Sequence, residues 1–265
     1  MRKDHMFSLA GKTALVTGAN GYLGRSIVEA LLEAGASVYL NGRNVDTVQK
    51  LATSLQKKGL SALPAAFDIT SDEQVSRFFE EISGVSLDIL VNNAYAGATG
   101  AVEVTSAEKY RESYEVSVVA THVLVRNALD ALRTAKARNG DASVINIASM
   151  YGIVSPDLRV YPDKQRANAA FYGASKAALI QWTRYAACEF GPEGIRFNSV
   201  APGAFPSPEA QRTSPELMPQ LEGKIPLGRV GVSREIGGVV TFLASPAASY
   251  VTGALIPVDG GWTAW

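Results

Sequence analysis

Residues Lys12–Thr17 form a short apolar run that passes straight into Gly18-Ala19-Asn20-Gly21-Tyr22-Leu23-Gly24 and then into an Ala/Leu/Ile segment of helical period. Few folds accept a strand that turns so tightly into a helix. Glycines let the backbone reverse within a few residues and let another group come close, while the first helical turn leaves N–H groups unpaired. The pattern opens a βαβ unit and so predicts a parallel sheet with helices on both faces.

The rest of the chain repeats that alternation. Strands are expected at Lys12–Thr17, Ser37–Leu40, Ala62–Phe67, Leu87–Asn92, Ser143–Ala148, Ile195–Val200 and Ala254–Val258. Helical spacing covers Tyr22–Ala34, Val45–Lys57, Asp72–Ile82, Ala107–Arg138, Phe171–Phe190 and Arg234–Leu243. The predicted class is α/β, a seven-stranded parallel sheet in one domain over 1–265. Two segments carry no regular pattern, 150–170 and the Pro-rich stretch 204–226. Both are long enough to be functional loops.

Composition narrows the function. With 47% hydrophobic and 19% charged residues the chain has material for a packed core. Basic and acidic residues balance at 25 each, without a long run of one sign, which disfavours a nucleic acid or membrane surface as partner. The first residues are charged and lack a signal-like apolar stretch, so a cytoplasmic location is expected. Cys188, the only cysteine, sits among Ala186, Ala187 and Phe190 and is read as a small buried hydrophobe. His5 and His122 are far apart and suggest no metal site.

The glycine turn suits a pyrophosphate at a helix N-terminus, with Gly18, Asn20, Gly21, Tyr22, Leu23 and Gly24 as its cradle. About 20 residues on, an acid would be expected to hold the ribose hydroxyls of NAD. The chain instead reads Leu40-Asn41-Gly42-Arg43-Asn44. Arg43 has the fork to pair with a 2′-phosphate, so NADP(H) is preferred, with NAD still open and a solvated arginine as the alternative.

Several dispersed motifs agree in order: the glycine turn, Asp68-Ile69, Asn92-Asn93-Ala94, Ser149, Tyr172-Gly173-Ala174-Ser175-Lys176, Ala201-Pro202-Gly203 and Val258-Asp259-Gly260-Gly261. By these the chain resembles the short-chain dehydrogenase/reductase family from Leu9 to the C-terminus. The resemblance implies a single-domain Rossmann fold. It also implies adenine contact at Asp68 and Ile69, bracing of the cofactor loop by Asn92 beside Ala94, and nicotinamide contact from Pro202-Gly203. A cap on the following helix for Asp68 and a turn for Asn92 stay open as structural readings.

Tyr172 and Lys176 stand one helical turn apart, so both leave the same face. Of ten tyrosines only Tyr172 has a lysine four residues on. An ammonium favours the phenolate, which would bring proton exchange with a substrate oxygen toward neutral pH. Lys176 would also reach the nicotinamide ribose. Ser149, closing a strand at the ligand-binding sheet edge, would hold a substrate carbonyl.

Four features depart from the family pattern. The spacing Gly18, Gly21, Gly24 is more typical of longer relatives acting on nucleotide sugars. Ser117 takes the place of a relay asparagine and has a shorter reach. Tyr95 replaces a glycine beside the expected cleft, either to touch substrate or to pack over the loop. Finally, 22 residues separate Ser149 from Tyr172, about twice the usual interval. This insertion is expected to wall the substrate pocket, with 204–226 as a lid. Arg159, Lys164 and Arg166 are candidates for an anionic group, and Asp157, Tyr161 and Gln165 for hydroxyls, a solvated surface loop being the alternative.

The expected activity is hydride transfer between NADP(H) and a polar carbonyl or alcohol, with a sugar acid or sugar derivative as candidate. Epimerisation or dehydration on a retained cofactor stays open from the glycine spacing, as does a cofactor-binding regulator from Ser117. The small residues Ala174, Ala177, Ala178, Ala186 and Ala187 suit close approach of another helix, or packing on the sheet. With the resemblance, they imply a homo-oligomer, dimer or tetramer, with contacts from Ala254–Trp265.

Overall fold

A computed structural model describes residues 6–95, 97, 99–161 and 163–265, so His5 and Pro162 lie outside the described residues. The seven expected strands form: β1 (Thr13–Val16), β2 (Ser37–Gly42), β3 (Ala62–Ala66), β4 (Ile89–Asn92), β5 (Ala142–Ile147), β6 (Ile195–Pro202) and β7 (Leu255–Val258). All pair in parallel, in the order β3-β2-β1-β4-β5-β6-β7. Strands β4, β5 and β6 are buried along their whole length, as a sheet covered on both faces requires.

The helices are α1 (Tyr22–Glu33), α2 (Val45–Gln56), α3 (Asp72–Glu81), α4 (Ala107–Tyr114), α5 (Ala120–Asn139), α6 (Ala170–Phe190), α7 (Pro208–Thr213), α8 (Leu217–Glu222) and α9 (Arg234–Ala244). Apolar stripes of α1, α2 and α9 pack on one sheet face through Ile27, Leu31, Val48 and Ile236. Those of α3, α5 and α6 pack on the other through Phe78, Leu124, Leu132 and Ala187.

Three expectations need correction. The single helix expected over Ala107–Arg138 is divided by a π-turn, Glu115–Val119, which rephases the chain between α4 and α5. Cys188 is exposed, not buried, because the α6 stripe runs Lys176, Leu179, Ile180, Thr183, Ala187 and residue 188 falls one helical step beyond it. The segment 150–170 is not shapeless: it holds three short 3₁₀ turns, Met150–Gly152, Leu158–Val160 and Lys164–Arg166. Within 204–226 lie α7 and α8.

Polar ties lock the end of the sheet opposite the glycine turn. The Asp88 carboxylate, fully buried, accepts from Thr13 N at 2.9 Å and Asn139 Nδ2 at 2.6 Å. Arg196 on β6 forks onto Asp141 at 2.9 and 3.0 Å, with Lys12 3.7 Å from the same carboxylate. Removing one partner of such a pair strands the other in low dielectric. Arg196→Met should therefore cost about 3 kcal/mol, read as a lower urea midpoint at unchanged slope.

Candidate active site

Strand order reverses between β1 and β4, and open parallel sheets bind ligands outside the carboxyl ends of strands at that point. Here the two loops are tied directly. The Thr17 hydroxyl accepts from Asn93 N at 2.9 Å and Ala94 N at 3.0 Å, and Asn93 Nδ2 donates to the carbonyls of Thr17 (2.9 Å) and Gly18 (3.2 Å). A Cβ on Gly24 would lie 2.1 Å from the Gly18 carbonyl and 2.7 Å from Asn93 Nδ2, so only glycine lets α1 start here.

Asn92, expected to brace this loop, faces elsewhere. Its Nδ2 donates to Asn146 Oδ1 at 2.8 Å, which begins a buried chain through Thr183 to Ser199. Bracing falls to Asn93, whose side chain leaves the opposite side of the strand end. The Asn92 Oδ1 atom is buried without a partner among the described residues. Identical neighbouring asparagines left the sequence without a means to choose between them.

A cleft of about 870 Å³ opens over this junction. Of the residues expected to bind cofactor, Gly18, Asn20, Gly21, Tyr22, Leu23, Gly24, Asn41, Arg43, Asp68, Ile69 and Ala94 border it, and so does Tyr95. Asn92, Lys176, Pro202 and Gly203 do not. Asn41 sits on the wall, yet its amide is committed to β3, donating to Ala65 and Phe67 carbonyls at 3.1 and 3.0 Å. Asp68 accepts from Thr70 N and Oγ1, while the cap of α3 is Ser71. Pro202-Gly203 ends β6, where Gly203 N donates to Val258 O.

Sequence reasoning missed Asn44, Thr47 and Glu115 as cleft residues. Asn44 was findable, since it caps α2 by accepting from Thr47 N and Oγ1, both at 2.8 Å. Glu115 reaches the cleft through the π-turn, which periodicity does not reveal.

The cleft fits a dinucleotide. No side chain caps α1, so its first-turn N–H groups are available to a pyrophosphate. Arg43 is exposed on the rim beside Asn44 and makes no ion pair or hydrogen bond among the described residues.

Tyr172, Lys176 and Ser149 come together where α6 crosses the end of β5. Close contact is possible because a Cβ on Gly173 would meet the Tyr151 carbonyl at 2.6 Å, and one on Gly152 the α6 backbone at 2.9 Å. Ser149 accepts from Tyr151 N at 3.1 Å and lies beside the Tyr172 phenol, near enough to favour its ionised form. Burial pushes Tyr172 above the ordinary phenol value, and Ser149 pulls it part of the way back. This corrects the expectation of a tyrosine lowered by its lysine. The Lys176 ammonium is directed at the Ile147 carbonyl, 2.7 Å away, and burial lowers it to about 8.

Ser117 lies in the π-turn, buried, its hydroxyl without a partner among the described residues. Tyr95 lies against Tyr172 and Lys176, its ring centroid 4.7 Å from that of Tyr172. Tyr161 pairs its hydroxyl with that of Tyr151 at 3.1 Å and accepts from Asn168 at 3.3 Å.

The three cations of the insertion do not form the expected anion site. Arg159 forks onto Asp157 at 2.9 Å, Lys164 pairs with Glu103, and Arg166 meets Glu216 at 3.4 Å and Ser214 at 2.9 Å. Asp157 also holds Lys224 at 2.7 Å, and Gln165 accepts from Ala101 N. These contacts fasten the insertion to the 204–226 segment and to the loop near residue 101. Next to Tyr172 the two segments share an apolar cluster of Met150, Tyr151, Val160, Leu221, Ile225 and Trp262.

Among the described residues no helix is long and apolar enough to cross a membrane. A family profile described as enoyl-(acyl carrier protein) reductase matches residues 18–263. A rhamnolipids biosynthesis 3-oxoacyl-(acyl-carrier-protein) reductase of Pseudomonas aeruginosa is 35% identical, covering 97% of this chain and 98% of the relative. A tropinone reductase homologue of Arabidopsis thaliana is 34% identical, covering 99% and 94%. Among solved structures, a gluconate 5-dehydrogenase from Burkholderia cenocepacia in complex with NADP and tartrate is similar at TM-score 0.87. It is 28% identical, with 98% of each chain covered. With the match running from the glycine turn to the C-terminal motif, this chain belongs to the short-chain dehydrogenase/reductase family of NAD(P)-dependent oxidoreductases.

Proposed function

We propose that the chain transfers a hydride between NADP(H) and a carbonyl or alcohol substrate, with Tyr172 as the proton donor and acceptor. The observation that carries this reading is the cluster of Ser149, Tyr172 and Lys176 at the carboxyl edge of the sheet, next to a cleft built for a dinucleotide. When bound, NADPH supplies the hydride that reduces the carbonyl carbon. The chain handles the oxygen: Ser149 offers a hydrogen bond, and Tyr172 gives its proton as the oxygen gains charge. Burial keeps the phenol protonated at neutral pH, the form needed for carbonyl reduction. Lys176 places a positive charge beside the phenolate that proton transfer leaves behind, and in the reverse direction the phenolate takes the proton from the alcohol.

Arg43 on the cleft rim, with no acid in the β2 segment, supports NADP(H) over NAD. Among similar structures, the P. aeruginosa RhlG/NADP active-site complex, 34% identical, adds to this support. For the substrate, the paired cations of the insertion argue for hydroxyl contacts through Tyr161 and Tyr151 rather than for a carboxylate anchor. A sugar derivative or other hydroxylated ketone fits this better than a sugar acid. Tyr185 on α6, 70% exposed, and Trp265, 80% exposed, support a homo-oligomer built on α6 and the C-terminus.

Tyr172→Phe should bind NADPH as the wild type does while net NADPH oxidation against a carbonyl panel falls about 100-fold or more. Undiminished turnover would remove Tyr172 from the mechanism. Arg43→Ala should weaken NADPH about tenfold or more, with NADH nearly unchanged, in parallel fluorescence titrations. Equal affinity of the wild type for both cofactors would overturn the NADP assignment.

A further inference from the structure

Lys176 is 3% exposed and carries three N–H donors, yet among the described residues its one hydrogen bond goes to the Ile147 carbonyl. A buried ammonium needs more than that to stay charged. Tyr95 supplies a second contact. The Lys176 Nζ stands over its ring, 5.1 Å from the centroid, within the range of a cation–π interaction. The same ring packs on Tyr172 at 4.7 Å and 58°. It can fold back there because residue 97 has no side chain: a Cβ on Gly97 would lie 2.1 Å from Tyr95 Cε1.

We propose that Tyr95 is a positioning residue of the catalytic pair, its ring holding the Lys176 ammonium over one face while packing against the Tyr172 ring. The inference rests on the assignment of that pair given above. The two contacts come from one rigid ring, so a change at position 95 acts on both residues together. Of the titratable side chains, Tyr95 contacts both members of the pair, and Tyr151, in the turn packed on α6, interacts with Tyr172. Glu112 and Glu115, from α4 and the π-turn, border the outer cleft, and β6 offers only Arg196, committed to Asp141 at the far end of the sheet. No carboxylate is paired with Lys176 among the described residues.

The test is the titration of the Lys176 ammonium by ¹⁵N NMR in cofactor-free protein, with Lys176→Met identifying the signal. Tyr95→Leu keeps an apolar cover but loses the ring face, so the charged form is disfavoured and the titration should move down by about one unit. Tyr95→Phe should leave it in place. An unchanged titration in Tyr95→Leu overturns the proposal, and a Tyr95→Phe shift as large as the leucine's would transfer the role from the ring to the hydroxyl and overturn it equally. No substrate is needed, so failure here leaves the proposed reaction standing. Conversely, an active Tyr172→Phe enzyme would remove Tyr172 from the mechanism while leaving the contact of Tyr95 with Lys176 measurable.

Discussion

The tie between Thr17 and Asn93 joins the ends of β1 and β4 at the place where strand order reverses. Four hydrogen bonds between these two loops hold the Gly18 carbonyl against the start of α1, and Gly24 admits that contact because it has no side chain. If the loops were apart, the uncapped N-terminus of α1 would face open solvent rather than a shared cleft. The asparagine pair also divides its work at this point. Asn93 secures the cofactor side, whereas Asn92 enters the buried chain through Asn146 to Thr183 and so couples the same strand end to α6.

On the other side of the cleft the controlling quantity is burial. Lys176 is taken out of water and Tyr172 is half-buried, and in each case desolvation disfavours the charged form: the phenol is raised and the ammonium lowered. The few polar contacts that remain therefore carry weight, namely Ser149 on the phenol and Ile147 and the Tyr95 ring on the ammonium. The insertion contributes to this dryness. Its ion pairs with Lys224, Glu216 and Glu103 lie on the outside, and its apolar residues pack with Leu221, Ile225 and Trp262 beside Tyr172.

Much of this was legible in the sequence because it depends on local chemistry. Period-2 and period-3.6 patterns located all seven strands, since each buried strand must be apolar whatever its neighbours. The i,i+4 spacing of Tyr172 and Lys176 placed them on one helix face. The glycine turn announced a phosphate cradle because no other residue tolerates the same approach of backbone to backbone. Asn44 could have been added from its capping pattern.

What the sequence could not carry was any property set by a partner distant along the chain. Arg159, Lys164 and Arg166 looked available for an anion, and only the folded chain brings Glu103 and Glu216 to two of them; for Arg159 the acid was two residues away. The π-turn that buries Ser117 depends on how the α4–α5 segment packs, as does the exposure of Cys188 on the α6 stripe. The direction of the Tyr172 shift shows the same division. Sequence spacing gives the distance between a tyrosine and a lysine on a helix, but desolvation comes from everything packed around them, and here it raises the phenol. The sequence by itself determined the α/β sheet, the glycine turn and the placing of Tyr172 and Lys176 on one helix face; tertiary structure decided which charges stay free, which asparagine braces the loop, and that Tyr95 lies over Lys176.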